Sequence, residues 1–273
     1  MLELGRLTGG NRRGSRQAVQ ILRLTIVSSL AATLLASPAL AIVGGGSAAS
    51  DSVAHSVVTV VGSRGNFCTG ALIAPDLVLT AAHCVLPGAA YKIVDYSTKP
   101  AKLLDTRNVA AHPSFNLQTL LAHRATADVA LLQLTARAPS GTAPVTTGVP
   151  QIPIEVGAPF TVVGMGVSIR GDGRSGGAIR AAGLVATGKP GTLQIRLVDA
   201  LTQGARDGLG ACTGDSGAPV FEGQQGKAVI IGVVSWSTGA NNSAGCGGLT
   251  GVTPLTLYRD WIVQTARSWG AEL

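Results

Sequence analysis

From Ile42 onward the apolar positions fall in short runs rather than in helical stripes. Residues 57–61, 77–80 and 228–235 are rich in Val, Leu and Ile, and glycine, proline or small polar residues bound the runs. That pattern predicts strands and an all-β fold. A different period appears near the end, where Tyr258, Trp261, Ile262, Thr265 and Trp269 recur at spacings of three and four. The spacing predicts one long helix, capped by Thr253, with Pro254 at its first position and Gly270 placed to stop it. Residues 135–159 hold five of the 13 prolines and little hydrophobic period, so they are expected to form the crossing between two halves.

The first 41 residues follow another logic. Arg6, Arg12, Arg13, Arg16 and Arg23 form a basic leader, residues 24–35 are a mostly apolar run, and Ala39-Leu40-Ala41 is an A-x-A cleavage motif. This reads as an export signal with a secreted product, extracellular or periplasmic, whose membrane association ends with the signal. Arg12-Arg13 lacks the apolar residues that accompany a twin-arginine signal, which disfavours that route. The leader also carries five of the 21 bases and one of the 14 acids, so the net charge of +7 falls to about +3 beyond it. With no interleaving of basic and aromatic residues, no nucleic-acid partner is expected. Four cysteines in an exported chain imply two disulfides, with three connectivities open. C-x-x-C spacing is missing, which argues against a metal framework.

The densest chemistry lies in Gly210-Ala211-Cys212-Thr213-Gly214-Asp215-Ser216-Gly217-Ala218-Pro219. A serine between glycines can stand on a turn whose amides, those of Gly214 and Ser216, converge on one point and hold an oxyanion. A serine hydroxyl needs a base, and the base needs an orienting carboxylate. His83, at the end of Leu79-Thr80-Ala81-Ala82-His83-Cys84, has the surroundings of a fixed base. Asp128 opens the apolar run Asp128-Val129-Ala130-Leu131-Leu132, where a carboxylate needs a donor such as that imidazole. His55, His112 and His123 read as solvated or structural, and Asp76 as a turn residue. Residues 171–177, rich in glycine, lack the lysine and strand-to-helix context of a phosphate loop and read as a mobile surface loop open to nicking.

His83, Asp128 and Ser216, in that order and each in its own local signature, resemble the trypsin and chymotrypsin family of serine proteases. Ile42-Val43-Gly44-Gly45, Ser235-Trp236 and the terminal helix extend the resemblance over everything from Ile42. It implies two packed six-stranded antiparallel β-barrels with a C-terminal helix, divided as an N-terminal barrel over 42–145, a C-terminal barrel over 146–254, and the helix and tail over 255–273. It further implies a secreted serine endopeptidase, a monomeric hydrolase of protein or peptide substrates, open to protein inhibitors. No cofactor, metal or calcium ion is expected. The family pairing would join Cys68 to Cys84 and Cys212 to Cys246. The free amine of Ile42 would pair with Asp215, and cleavage after Ala41 would expose that amine directly. Gly210, Ala211, Ser235, Trp236, Ser237 and Gly251 would line a neutral, roomy pocket for large apolar side chains. Ala218, Met165 and Ser237 depart from the usual family residues, the last bearing on specificity. Two alternatives stay open: a binding protein on the same fold, and an esterase.

Overall fold

Two sets of six antiparallel strands close on themselves in the computed structural model, which describes residues 42–189, 193–222 and 229–273. The leader over residues 1–41, with its cleavage motif, lies outside the described residues, as does Ala228 of the predicted run 228–235. β1 (Ser47–Ala48) and the single-turn helix α1 (Asp51–Ala54) lead into the first barrel. Its strands are β2 (Val57–Gly62), β3 (Phe67–Ala74), β4 (Leu77–Thr80), β5 (Tyr91–Asp95), β6 (Lys102–Ala111) and β7 (Ala130–Leu134), with helix α2 (Leu117–Leu121) before the last. They close in the order β2-β3-β4-β7-β6-β5. After β8 (Thr146–Thr147) come β9 (Val156–Gly164), β10 (Arg180–Thr187), β11 (Ile195–Val198), β12 (Pro219–Glu222), β13 (Val229–Ser237) and β14 (Thr250–Pro254). These six close as β9-β10-β11-β14-β13-β12, because β9 pairs with both β10 and β12.

Each barrel is filled by branched aliphatic side chains from its own strands. Val60, Leu72, Val78, Ile93 and Leu132 pack inside the first, and Val162, Leu184, Ile195, Val220 and Val252 inside the second. A third cluster contains Leu77, Leu79 and Leu131 of the first barrel, Phe221 and Val233 of the second, and Ile262 of the terminal helix. Burying such side chains contributes roughly 1.5–3 kcal/mol each, so the face shared by the barrels is fixed by packing.

Two sequence expectations change. The first residues from Ile42 belong with the second barrel: Ile42 is buried in its core, Val43 bridges Gly210, and β1 pairs with β10 through Ser47 and Ala181. The terminal helix α3 (Arg259–Ser268) starts later than Thr253 and Pro254 suggest. Those two residues end β14, where Thr253 pairs with Val233 and Pro254 with Gly232, and sheet pairing overrides the local capping signal. A 3-10 turn over Leu255–Leu257 then leads into α3, and Gly270 at φ +75° follows its end.

Candidate active site

The 3-10 turn Ala82–Val85 and the entry to β7 bring His83 and Asp128 together. His83 Nδ1 lies 2.8 Å from Asp128 Oδ2, and the His83 backbone N–H donates to Asp128 Oδ1 at 2.9 Å. Asp128 is fully buried, so these donors, with Ser235 Oγ donating to Oδ2 at 2.6 Å, replace the water that the carboxylate gives up. The contacts fix the imidazole plane and leave Nε2 as the ring nitrogen free to exchange a proton. The Cys68–Cys84 disulfide holds the chain beside His83. Cys68, His83 and Cys84 also form the one compact group of metal-type ligands found among the described residues, but both sulfurs are in that bridge and offer no thiolate.

Ser216 sits on a turn stapled to β3. Thr69 N–H donates to Ser216 O at 2.8 Å, and Thr69 Oγ1 donates to Gly214 O at 2.7 Å. A Cβ on Gly217 would lie 2.1 Å from Thr80 Oγ1 and 2.8 Å from Ala81 N, two residues before His83, so only glycine permits this approach. Gly214 has φ +94°, and a Cβ there would lie 2.8 Å from the Phe67 ring. Around the turn the Asp215, Gly217 and Ala218 amides donate to backbone carbonyls, whereas the Gly214 and Ser216 amides meet no acceptor among the described residues. Two unpaired donors flanking a serine are the arrangement that stabilises a developing oxyanion. Ser216 Oγ itself makes no hydrogen bond to His83 among the described residues. The structure thus brings the serine turn against the His83 segment without closing the final contact, as is common in unliganded sites.

Asp215 is fully buried and accepts from the backbone amides of Gly166 and Cys212, each at 2.8 Å. Burial outweighs those two donors and pushes its pKa up to about 7. No cationic side chain lies within 4.0 Å of it among the described residues. Room for the carboxylate comes from Gly164 and Gly166, where an added Cβ would stand 2.1 Å and 2.6 Å from Asp215 atoms. Ile42 is buried in the same barrel at φ +60°, a strained conformation for a β-branched residue. The second disulfide, Cys212–Cys246, ties this turn to the segment before β14.

A family profile described as Trypsin matches residues 42–262. The chain belongs to the trypsin family. It is 31% identical over 217 residues to mouse Serine protease 56, covering 72% of this chain and 34% of that protein. The chain therefore spans about a third of that relative's length. It is 26% identical over 239 residues to pig Trypsin, covering 82% of this chain and 95% of the relative. Among solved structures, one titled as an atomic-resolution structure of HBP matches with a TM-score of 0.62 at 24% identity, over 82% of this chain and 97% of that one, a likeness of fold. Human heparin binding protein matches with a TM-score of 0.60 at 25% identity, over 81% and 95%.

Within this trypsin-family frame the residues expected to line the pocket pack closely on their neighbours. Gly210 and Ala211 are buried, with Ala211 N–H donating to Thr250 Oγ1 at 3.1 Å. Trp236 packs directly on Gly251: a Cβ on Gly251 would lie 2.1–2.6 Å from three indole atoms. The indole is mostly buried, and its Nε1–H finds no acceptor among the described residues. Ser237 Oγ donates to Gly245 O at 3.3 Å. His123, read as solvated or structural, stacks on Trp236 with ring centroids 4.7 Å apart, whereas His112 packs edge-on to Tyr258 at 5.0 Å. Sequence reasoning gave Ser235 only to the pocket and passed over Thr69. A buried threonine directly after Cys68 was the one local signal that β3 staples the serine turn.

Proposed function

We propose that the chain is a secreted serine endopeptidase acting through His83, Asp128 and Ser216. The observation that carries this reading is the serine turn, whose two unengaged amides flank Ser216 while the oriented His83–Asp128 pair stands beside it. Ser216 Oγ attacks the peptide carbonyl as His83 Nε2 removes its proton. The oxyanion forms against the Gly214 and Ser216 amides. Asp128 holds the tautomer that leaves Nε2 unprotonated and stabilises the imidazolium. His83 then returns the proton to the leaving amine, and water repeats the sequence on the acyl-enzyme.

Activation is part of the proposal. Cleavage after Ala41 gives Ile42 a charged amine, and pairing with Asp215 supplies the cation that this buried carboxylate lacks. Burial of Ile42 within the second barrel supports an N-terminus seated there.

A binding protein on the same fold is favoured by one observation, the Trp236 ring lying over the Gly251 wall. A fluorophosphonate probe separates the readings. Protein beginning at Ile42 should be labelled at Ser216 and should cleave a mixed peptide library, and Ser216→Ala should do neither. An unlabelled, inactive protein of native fold would favour the binding role.

A further inference from the structure

Arg196, Gly251 and Trp236 are consecutive partners across three strands, Arg196 opposite Gly251 in the β11–β14 pair and Gly251 opposite Trp236 in the β14–β13 pair. Residues directly opposite in a sheet share a face, so Arg196 projects on the side where Gly251 has no side chain and Trp236 lays its ring. The guanidinium carbon is 5.5 Å from the Trp236 ring centroid. Its hydrogen-bond partners are neutral: Nε donates to Gln194 Oε1 at 3.4 Å and Nη2 to His123 O at 3.2 Å. No carboxylate lies within 4.0 Å of Arg196 among the described residues. The side chain is only partly buried, and a guanidinium carries five N–H donors, so most of its capacity faces outward beside the site. Trp236 in turn follows Ser235, whose Oγ donates to Asp128. A held cation with spare donors therefore stands one strand from the pocket wall and two residues of contact from the orienting acid.

We infer that Arg196 is a specificity residue that selects peptides carrying an Asp or Glu side chain where they pack on Trp236, an inference that rests on the endopeptidase reading above. A carboxylate is the group that fits: its two oxygens match the guanidinium fork, and the flanking indole and His123 ring exclude water from one side of the pair. The neutral pocket base at Gly210 and Ala211 contributes no charge of its own, so the sign of the local selection is set by Arg196.

An octapeptide library in which each position in turn is Glu, Gln or Lys tests this in two arms, turnover by the protein beginning at Ile42 and equilibrium binding to its Ser216→Ala form. At one position Glu should exceed Gln by at least about tenfold and Lys should be worst. The Glu-to-Gln ratio should fall below about twofold in Arg196→Gln and persist in Arg196→Lys. A wild-type protein that separates Glu from Gln by less than twofold at every position overturns the inference, as does an Arg196→Gln protein that keeps the preference. If the Glu preference appears in binding while the wild type cleaves nothing, the endopeptidase reading fails and the role of Arg196 stands.

Discussion

Ser235 Oγ and His83 Nδ1 share one oxygen of Asp128, at 2.6 Å and 2.8 Å from Oδ2. A buried carboxylate bound this way has its orientation set from both barrels, since His83 belongs to the first and Ser235 to the second. Ser235→Ala removes a donor from a charged acceptor, an interaction contributing roughly 1.5–3 kcal/mol. Turnover of the Ile42 form should fall about tenfold or more, with a smaller change in KM, as measured by steady-state peptide hydrolysis. An unchanged kcat would show that Ser235 does not position the acid.

Ser216→Ala and His83→Ala should each lower kcat by at least about a thousandfold, and the double variant should be little worse than either. The non-additivity is the informative readout, because a base without its nucleophile has nothing to deprotonate. Additive losses in single-turnover assays would separate the two residues mechanistically.

Asp215 gives a signed pH dependence while the Ala41–Ile42 bond is intact. Its native pKa is raised to about 7, whereas an unfolded aspartate titrates near 3.9. Between these values the native state holds a proton that the unfolded state has released, so stability falls as pH rises from about 4 to about 7. The span is at most about 4 kcal/mol. Urea unfolding of Ser216→Ala protein retaining Ala41 should show this loss relative to its Asp215→Asn counterpart. The form beginning at Ile42, with a cation supplied, should not.

Gly251→Ala should expel the Trp236 ring, because the new methyl would stand 2.1 Å from an indole atom. The buried Nε1–H, which has no acceptor among the described residues in the present position, would gain water. A red shift of tryptophan emission that is lost in the Gly251→Ala, Trp236→Phe double variant would report the movement. An emission spectrum identical to wild type would place the ring elsewhere.

The parts of this molecule legible in the sequence are those whose signal is local. The strand runs appear as β2, β4 and β13, and the helix period as α3, because each is set by residues adjacent in the chain. The turn around Ser216 is legible because its glycines adjoin the serine in the chain, although the approaches of under 3 Å that require them come from the distant Phe67 and Thr80. Partnerships across strands are another matter. Trp236 meets Gly251 only because the β13–β14 register shifts between Val234 and Trp236, and no residue pattern announces that shift. Arg196 and His123 reach Trp236 from other strands and loops, and Thr69 acts on a turn well over a hundred residues away. Thr253 misled for the complementary reason, its capping chemistry yielding to a ladder formed by distant partners.

The torsion at Ile42 has a directional meaning. An angle of φ +60° is defined by four atoms, one of which is the carbonyl carbon of Ala41. Hydrolysis of that peptide bond does not relax the angle; it removes it, because the first residue of a chain has no φ. Strain of this kind is of order 1–3 kcal/mol in a folded protein and would vanish in the cut chain while the Ile42 side chain keeps its seat. The folded barrel would then act as a ratchet on its own processing, holding the severed end in place and disfavouring religation.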